Sequence, residues 1–202
     1  MTAQLISLPK KISDIIRVFK AKLAEESLIV KEVQYICGIT GIPYSYVNAV
    51  KIAKDWINAG VNGSGSIVIG LPIIDSFRKD SRYAIIAHEL AHRQGNHAGK
   101  CFILTMTVFY LAAFLISTFH YSLIVDILIP FAIWGLAAPM VSWPFEYAAD
   151  RMSARYMGKT KMISALEDLA SATGANPYVD SYSHPSIARR IHVLQSLDEY
   201  PA

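Results

Sequence analysis

Charge is scarce in this chain. Only 17% of its 202 residues are Asp, Glu, Lys or Arg, against 53% that are hydrophobic, whereas an ordinary soluble domain carries nearer a quarter charged. The shortage points toward a lipid environment, and the mean hydropathy of +0.32 agrees. Cysteine is scarcer still. Cys37 lies in a segment expected to be soluble and Cys101 heads an apolar run. That excludes a disulfide framework and leaves no Cys-x-x-Cys pair for zinc, so a reducing compartment is expected. The net charge of +3 comes without a clustered basic face, which argues against a nucleic-acid partner. No apolar stretch with a small-residue cleavage site occurs between Met1 and Ala24, so no secretory signal is expected. Internal repeats and low-complexity tracts are lacking too.

What is present is concentrated in the middle. Cys101 to Phe119 is 19 residues without a charge, and Ser122 to Trp143 is 22 residues with one, Asp126. About 20 apolar residues span a hydrocarbon core, so the two runs, joined by His120 and Tyr121, predict a transmembrane hairpin at 101–143. Arg93 and Lys100 precede the first run, and Arg151, Arg155, Lys159 and Lys161 follow the second, while the turn has no Lys or Arg. The positive-inside rule puts both ends in the cytoplasm of a cell membrane. Residues 1–100 and 144–202 are then free to meet in one domain. Asp126 is expected as an interfacial acid at the outer end of the hairpin.

The flanks read as mainly α with a small β-hairpin. Pro9 to Leu23 carries Ile12, Ile15, Ile16, Phe19 and Leu23 at helical spacing among basic residues; such a helix either packs on the domain or lies on an anionic bilayer surface. Ser27 to Cys37 predicts a helix closed by Gly38 and Gly41, and Tyr46 to Ala53 fits helix or strand equally. Trp56–Val61 and Ser66–Ile69 predict two strands around Asn62-Gly63-Ser64-Gly65, since Asn-Gly between apolar runs marks a hairpin. Asp80 or Ser81 is expected to cap a helix running to about Gly95. Further helices are expected after Pro144 to Met157 with Gly158 as C-cap, over Thr160–Thr173 ending at Gly174, and from near Pro185 through Leu194.

The chemistry is concentrated in His88-Glu89-Leu90-Ala91-His92. Residues four apart on a helix differ by only about 40° in direction, so both imidazoles point the same way and suit two corners of a tetrahedral zinc. Glu89, beside them, is placed to take a proton from a water attacking a carbonyl. A third protein ligand is required. His97 misses by one residue the spacing of a third His in the long metzincin pattern, and Cys101 begins an apolar run. Glu146 explains more, because Asp150 lies four residues on and on the same helical face. One carboxylate can ligate while the other orients a ligand His.

His88-Glu89-x-x-His92, an apolar hairpin, Glu146-x-x-x-Asp150 and His184-Pro185-x-x-x-x-Arg190-Ile191 follow one another in this order. Together they resemble the HtpX-type and CAAX-prenyl-protease-type membrane zinc metallopeptidases. The similarity runs from about Trp56 to Leu194 and includes Asn58-Ala59 and Gly65-Ser66-Ile67-Val68-Ile69. The resemblance implies a gluzincin-like domain interrupted by the hairpin. It implies one Zn2+ per chain held by His88, His92 and Glu146, Glu89 as general base and Asp150 behind the ligands. His184 and Arg190 would stabilise the oxyanion or orient the acids. The basic segment that stands where HtpX-type proteins carry another hairpin points to a minimal, single-hairpin enzyme.

The function expected is therefore hydrolysis of peptide bonds in membrane or misfolded proteins. The alternative is a catalytically silent membrane scaffold or regulator that keeps the fold. Ser66, Ile67, Val68 and Ile69 are expected to bind substrate as an edge strand. The bilayer is a further partner, and lipid-facing surface on two spans is where copies of the chain can pair.

Overall fold

The computed structural model describes residues 28–119 and 122–197, so the expected amphipathic helix over Pro9–Leu23 lies outside the described residues. Residues 28–40 are helical (α1), and Ile29, Val33 and Ile36, spaced as one helical face, are buried. The helix passes through Gly38 and stops at Gly41, whose φ of +69° is left-handed. A short 3-10 turn at Tyr44–Tyr46 then leads into β1 (Val50–Ala53), which settles the ambiguous segment as a strand. β2 (Ala59–Val61) and β3 (Ile67–Gly70) follow.

β2 and β3 form the expected antiparallel hairpin, with Ala59 opposite Ile69 and Val61 opposite Ile67. Its turn works differently from an Asn-Gly two-residue turn. Gly65 supplies the positive φ (+78°), its N–H donates to the Asn62 carbonyl at 2.8 Å, and the Asn62 side-chain oxygen accepts from the Ser64 and Ser66 amides. The sheet order is β1-β3-β2, with β1 parallel to β3. β3 is thus the central strand, and Ile67 and Ile69 are buried under the helices. At its end Gly70 comes so close to the preceding loop that a Cβ there would sit 1.6 Å from the Trp56 carbonyl oxygen.

β3 runs directly into α2 (Leu71–Ser76), and α3 (Lys79–Gln94) follows. Neither Asp80 nor Ser81 caps α3, because the helix starts earlier, with Arg78 at the N-cap position. Asp80 pairs with Lys161 instead, and the Ser81 hydroxyl donates to Asp168 at 2.6 Å. Arg82 ties α3 to α1 and to the end of α2, donating to Glu32 at 2.8 Å and to the Phe77 carbonyl at 2.9 Å. α3 is buried along most of its second half and packs on α5 and α6.

Two long helices follow, α4 (His97–Ser117) and α5 (Leu123–Met157). Each is long and apolar enough to cross a membrane. They pack on one another, yet their large apolar side chains face outward: Phe102, Phe114, Leu136 and Met140 are each more than 60% exposed. That is the reverse of a core helix in a soluble domain. Thr105 and Thr107 turn their hydroxyls back onto the carbonyls one turn earlier, which satisfies them without water. Asp126 sits in the first turn of α5, where the helix dipole favours an acid.

The expected break at Pro144 is absent. α5 is one helix of 35 residues with Pro130, Pro139 and Pro144 inside it, about 52 Å long at 1.5 Å per residue. Each proline removes one helical hydrogen bond, to the carbonyl four residues earlier, a loss that apolar helices tolerate. Gly158 (φ +98°) ends the helix, α6 (Lys159–Thr173) stops at left-handed Gly174, and α7 (Ile187–Gln195) closes the domain. Met162, Ala165, Leu166 and Leu194 complete the core.

Candidate metal centre

α3 crosses α5 just beyond its apolar part, and the crossing brings together the residues that the sequence separates by more than fifty positions. His88 and Glu89 are buried on α3, and His92 follows one turn later; Glu146 and Asp150 are buried on the facing side of α5. The His88 and His92 Nε2 atoms are 3.0 Å apart. Glu146 Oε1 is 3.2 Å from His92 Nε2 and Oε2 is 3.6 Å from His88 Nε2. Ligands about 2.05 Å from a tetrahedral zinc stand about 3.3 Å from each other, so the three side chains are set as a metal would need them. They form a group able to hold a metal ion, its three ligand atoms all within 4.8 Å of one another. Glu146 Oε2 is buried without a hydrogen bond and is flanked by His88 Nε2 at 3.6 Å and an Arg190 nitrogen at 3.7 Å.

Behind the triad lies a charge network. Arg190, on α7 and buried, donates Nε–H to Asp150 Oδ2 at 2.8 Å and an Nη2–H to Oδ1 at 2.6 Å. This is the bidentate arrangement that makes the strongest Arg–carboxylate pairs. Its remaining nitrogen is 3.7 Å from Glu146. Asp150 Oδ1 also lies 2.9 Å from His88 Nδ1, a close contact that falls short of an aligned hydrogen bond.

The ionisation states follow from this arrangement. Burial works against a charged Asp150, yet the adjacent Arg190 guanidinium holds its carboxyl down to about 2. Burial likewise opposes a charged Glu146, and the two histidines outweigh it, keeping the carboxyl well below its usual range. For His88, burial favours the neutral ring, but Asp150 and Glu146 together push its pKa up to about 10. Glu89 goes the other way: burial raises it, against the attraction of the two histidines.

His184 lies in the loop before α7. Its Nε2 is 3.7 Å from Glu146 Oε1, and Ser183 Oγ is 2.7 Å from its Nδ1. The ring is half-exposed, and burial lowers its pKa. Thus His184 faces the cleft, whereas the Arg190 donors are directed at Asp150.

Glu89, His184 and the triad line a cavity of about 960 Å3. One wall is β2 with Trp56 and Asn58, another is Met162 and Leu166 of α6, and the floor reaches Phe102 and Ser142 at the roots of the apolar helices. Here the expected substrate strand is corrected. Ser66, Ile67, Val68 and Ile69 do not line the cavity, and Ser66, Ile67 and Ile69 are buried. β3 is hydrogen-bonded on both sides, so it has no free edge for a peptide. The edge that borders the cavity is β2, Ala59–Val61. The hairpin pattern found both strands, but only the pairing of β1 with β3 decides which one is an edge. Sequence reasoning also missed His97 as a neighbour of the site, having weighed it only as a ligand. Its Nδ1 is 2.9 Å from His92 Nδ1, on the side of that ring away from the triad.

Residues 27–198 match the sequence model of peptidase family M48. Among curated proteins, those named Protease HtpX from three strains of Actinobacillus pleuropneumoniae (serotype 5b strain L20, serotype 3 strain JL03 and serotype 7 strain AP76) are each similar to the chain. Each is 28% identical over 176 residues, which covers 68% of this chain and 61% of the relative. The chain therefore spans about three fifths of the length of these relatives.

Proposed function

This chain belongs to peptidase family M48, and on that premise we propose that it is a membrane-tethered zinc metalloendopeptidase. The observation that carries the reading is the convergence of His88, His92 and Glu146 from two helices at metal-ligand spacing, with Glu89 in the same cavity. One zinc ion per chain is the assigned metal: two imidazoles, one carboxylate and an open fourth side are the ligand set of a hydrolytic zinc. When bound, zinc supplies Lewis acidity to a peptide carbonyl and lowers the pKa of water at the site.

The chain's own residues do the rest. An extended peptide lies along β2, hydrogen-bonding to the free edge of Ala59–Val61. Glu89 takes the proton of the attacking water on its carboxylate and delivers it to the departing amine nitrogen. Ser183 Oγ is 2.7 Å from His184 Nδ1; we assign the hydroxyl as the donor there, so that His184 carries its proton on Nε2 and stabilises the developing oxyanion. Arg190 acts through Asp150 and Glu146, fixing the two carboxylates rather than touching substrate. The outward-facing apolar surfaces of α4 and upper α5 sit in lipid. The Lys/Arg excess at their roots, against none in the connecting turn, sets the catalytic part on the cytoplasmic side. The cavity floor at Phe102 and Ser142 then lies close to the bilayer surface, which suits membrane-protein segments and misfolded chains as substrates.

The test is metal analysis and cleavage of an unfolded protein such as casein by the detergent-purified chain beside Glu89→Gln. One zinc per chain in both, with turnover lowered about 10²–10⁴-fold in the variant, is expected for loss of a general base. Undiminished turnover in Glu89→Gln removes the base assignment. Zinc without hydrolysis in the wild type leaves a silent scaffold, and no zinc removes the enzyme.

A further inference from the structure

The two ligand histidines have the same chemistry but different support. His88 has Asp150 behind it, and behind His92 stands another imidazole. We propose that His97 is the positioning residue for His92, accepting the His92 Nδ1–H on its own Nδ1 and thereby presenting Nε2 to the metal; the assignment rests on the zinc reading above. A neutral imidazole that gives one nitrogen to a metal carries its proton on the other, and the partner of that N–H fixes the ring's tautomer and angle. The Nδ1–Nδ1 separation of 2.9 Å is that of a hydrogen bond, and no other hydrogen-bond partner of the His92 Nδ1 is found among the described residues.

Three independent features hold His97 in place for this. Asn96 adopts a left-handed conformation (φ 47°), the one non-glycine residue to do so among the described residues, and it turns the chain from α3 into α4 so that residue 97 folds back over α3. Gly95 makes room: a Cβ there would stand 2.1 Å from His97 Nε2. Phe145 covers the other side, its ring centroid 4.9 Å from that of His97 at an angle of 31°. A left-handed Asn, a residue without a side chain and a stacked ring are costly ways to place a side chain that does nothing. His97 is also the first residue of α4, so the root of one apolar helix reaches the back of a ligand. It cannot itself be a ligand of the same ion, because it approaches His92 from the ring edge opposite Nε2.

The experiment compares zinc affinity, by competition with a chelator, in the wild type, His97→Phe and His97→Asn. Phe keeps the stack on Phe145 and places a C–H where Nδ1 stood; Asn places its side-chain oxygen there and restores an acceptor. The loss expected in His97→Phe is about 10–100-fold, the usual effect of removing a hydrogen-bond partner of a ligand, with most of it recovered in His97→Asn. A His97→Phe protein that binds zinc as tightly as wild type overturns the proposal, as does a His97→Asn protein no better than the Phe variant when both melt like wild type. Should the variants fail to fold, long-range ¹H–¹⁵N spectra of the zinc-loaded wild type decide instead. Protonation of His97 on Nε2 and of His92 on Nδ1 is expected, and a His97 protonated on Nδ1 overturns the assignment. A wild type that takes up no zinc overturns the metal reading together with this one, whereas wild-type affinity left unchanged by the Phe substitution removes His97 alone.

Discussion

The two halves of α5 obey opposite rules. From 123 to 143 the helix turns its large apolar side chains outward, with Leu136 at 77% and Met140 at 76% exposed. From 145 to 157 it turns its acids inward, with Glu146 at 6% and Asp150 at 1% exposed, and Ser153 hidden against the Ala84 carbonyl. One continuous helix thus carries apolar residues outside in one half and charged residues inside in the other. On the membrane reading proposed above, the difference follows from what surrounds each half. Leucine facing outward costs little where the surroundings are hydrocarbon. A buried carboxylate is tolerable only where cations and N–H donors enclose it, and Arg190, His88 and His92 supply that enclosure for the lower half.

Breaking the lower half has the largest expected effect. On the proposed zinc reading, Glu146→Ala removes the one carboxylate ligand, so zinc content is expected to fall below one per chain and hydrolysis to be lost; metal analysis beside casein cleavage checks it. Asp150→Ala comes next. It leaves the Arg190 charge buried without its bidentate partner, a change that costs about 3–5 kcal/mol and is read as a lowered unfolding midpoint in detergent. The upper half answers to a different substitution. Leu136→Arg is expected to disfavour membrane insertion by about 2.5–3.5 kcal/mol, measured as the membrane-integrated fraction, while the protein that does insert keeps its zinc. Loss of zinc in that fraction would join the two halves into one cooperative unit and defeat the contrast.

The smallest effect sharpens the contrast through pH. In the metal-free site His88 is held up at about 10, above its ordinary value near 6.5. The stability it contributes is therefore complete below about pH 6.5 and is lost as pH rises through about 10. Zinc needs the neutral ring, so binding expels one proton from His88 and the affinity should rise about tenfold per pH unit between pH 6.5 and 8. Competition titrations at several pH values give the slope, and a flat profile contradicts a protonated His88.

Much of the site was legible because it is local. His88, Glu89 and His92 share one helical face, and Glu146 and Asp150 share another; each pair needs only the 3.6-residue period. Non-local facts were not legible in this way. Whether Ser66–Ile69 or Ala59–Val61 is the free edge depends on where β1 docks, and Val50–Ala53 read equally well as helix. Arg190 and His184 were both left between two roles, and the contacts they make to Asp150 and Glu146 about forty residues away depend on the fold. His97 was tested only against ligand spacing, and its place depends on the backbone turn at Asn96. The continuity of α5 was hidden by Pro144, read as the boundary between the second apolar run and the next helix; proline signals a break in water but is tolerated in an apolar helix.

That continuity has a consequence for which sequences this architecture can accept. With no joint between Leu136 and Glu146, adding or deleting one residue there would swing the glutamate by about 100° and shift it by about 1.5 Å along the axis, out of reach of both imidazoles. Substitutions along this stretch should be far better tolerated than changes of length. Variation in chain length between the two apolar helices is best accommodated outside them, between Ser117 and Leu123, where an extra residue alters the phase of neither helix.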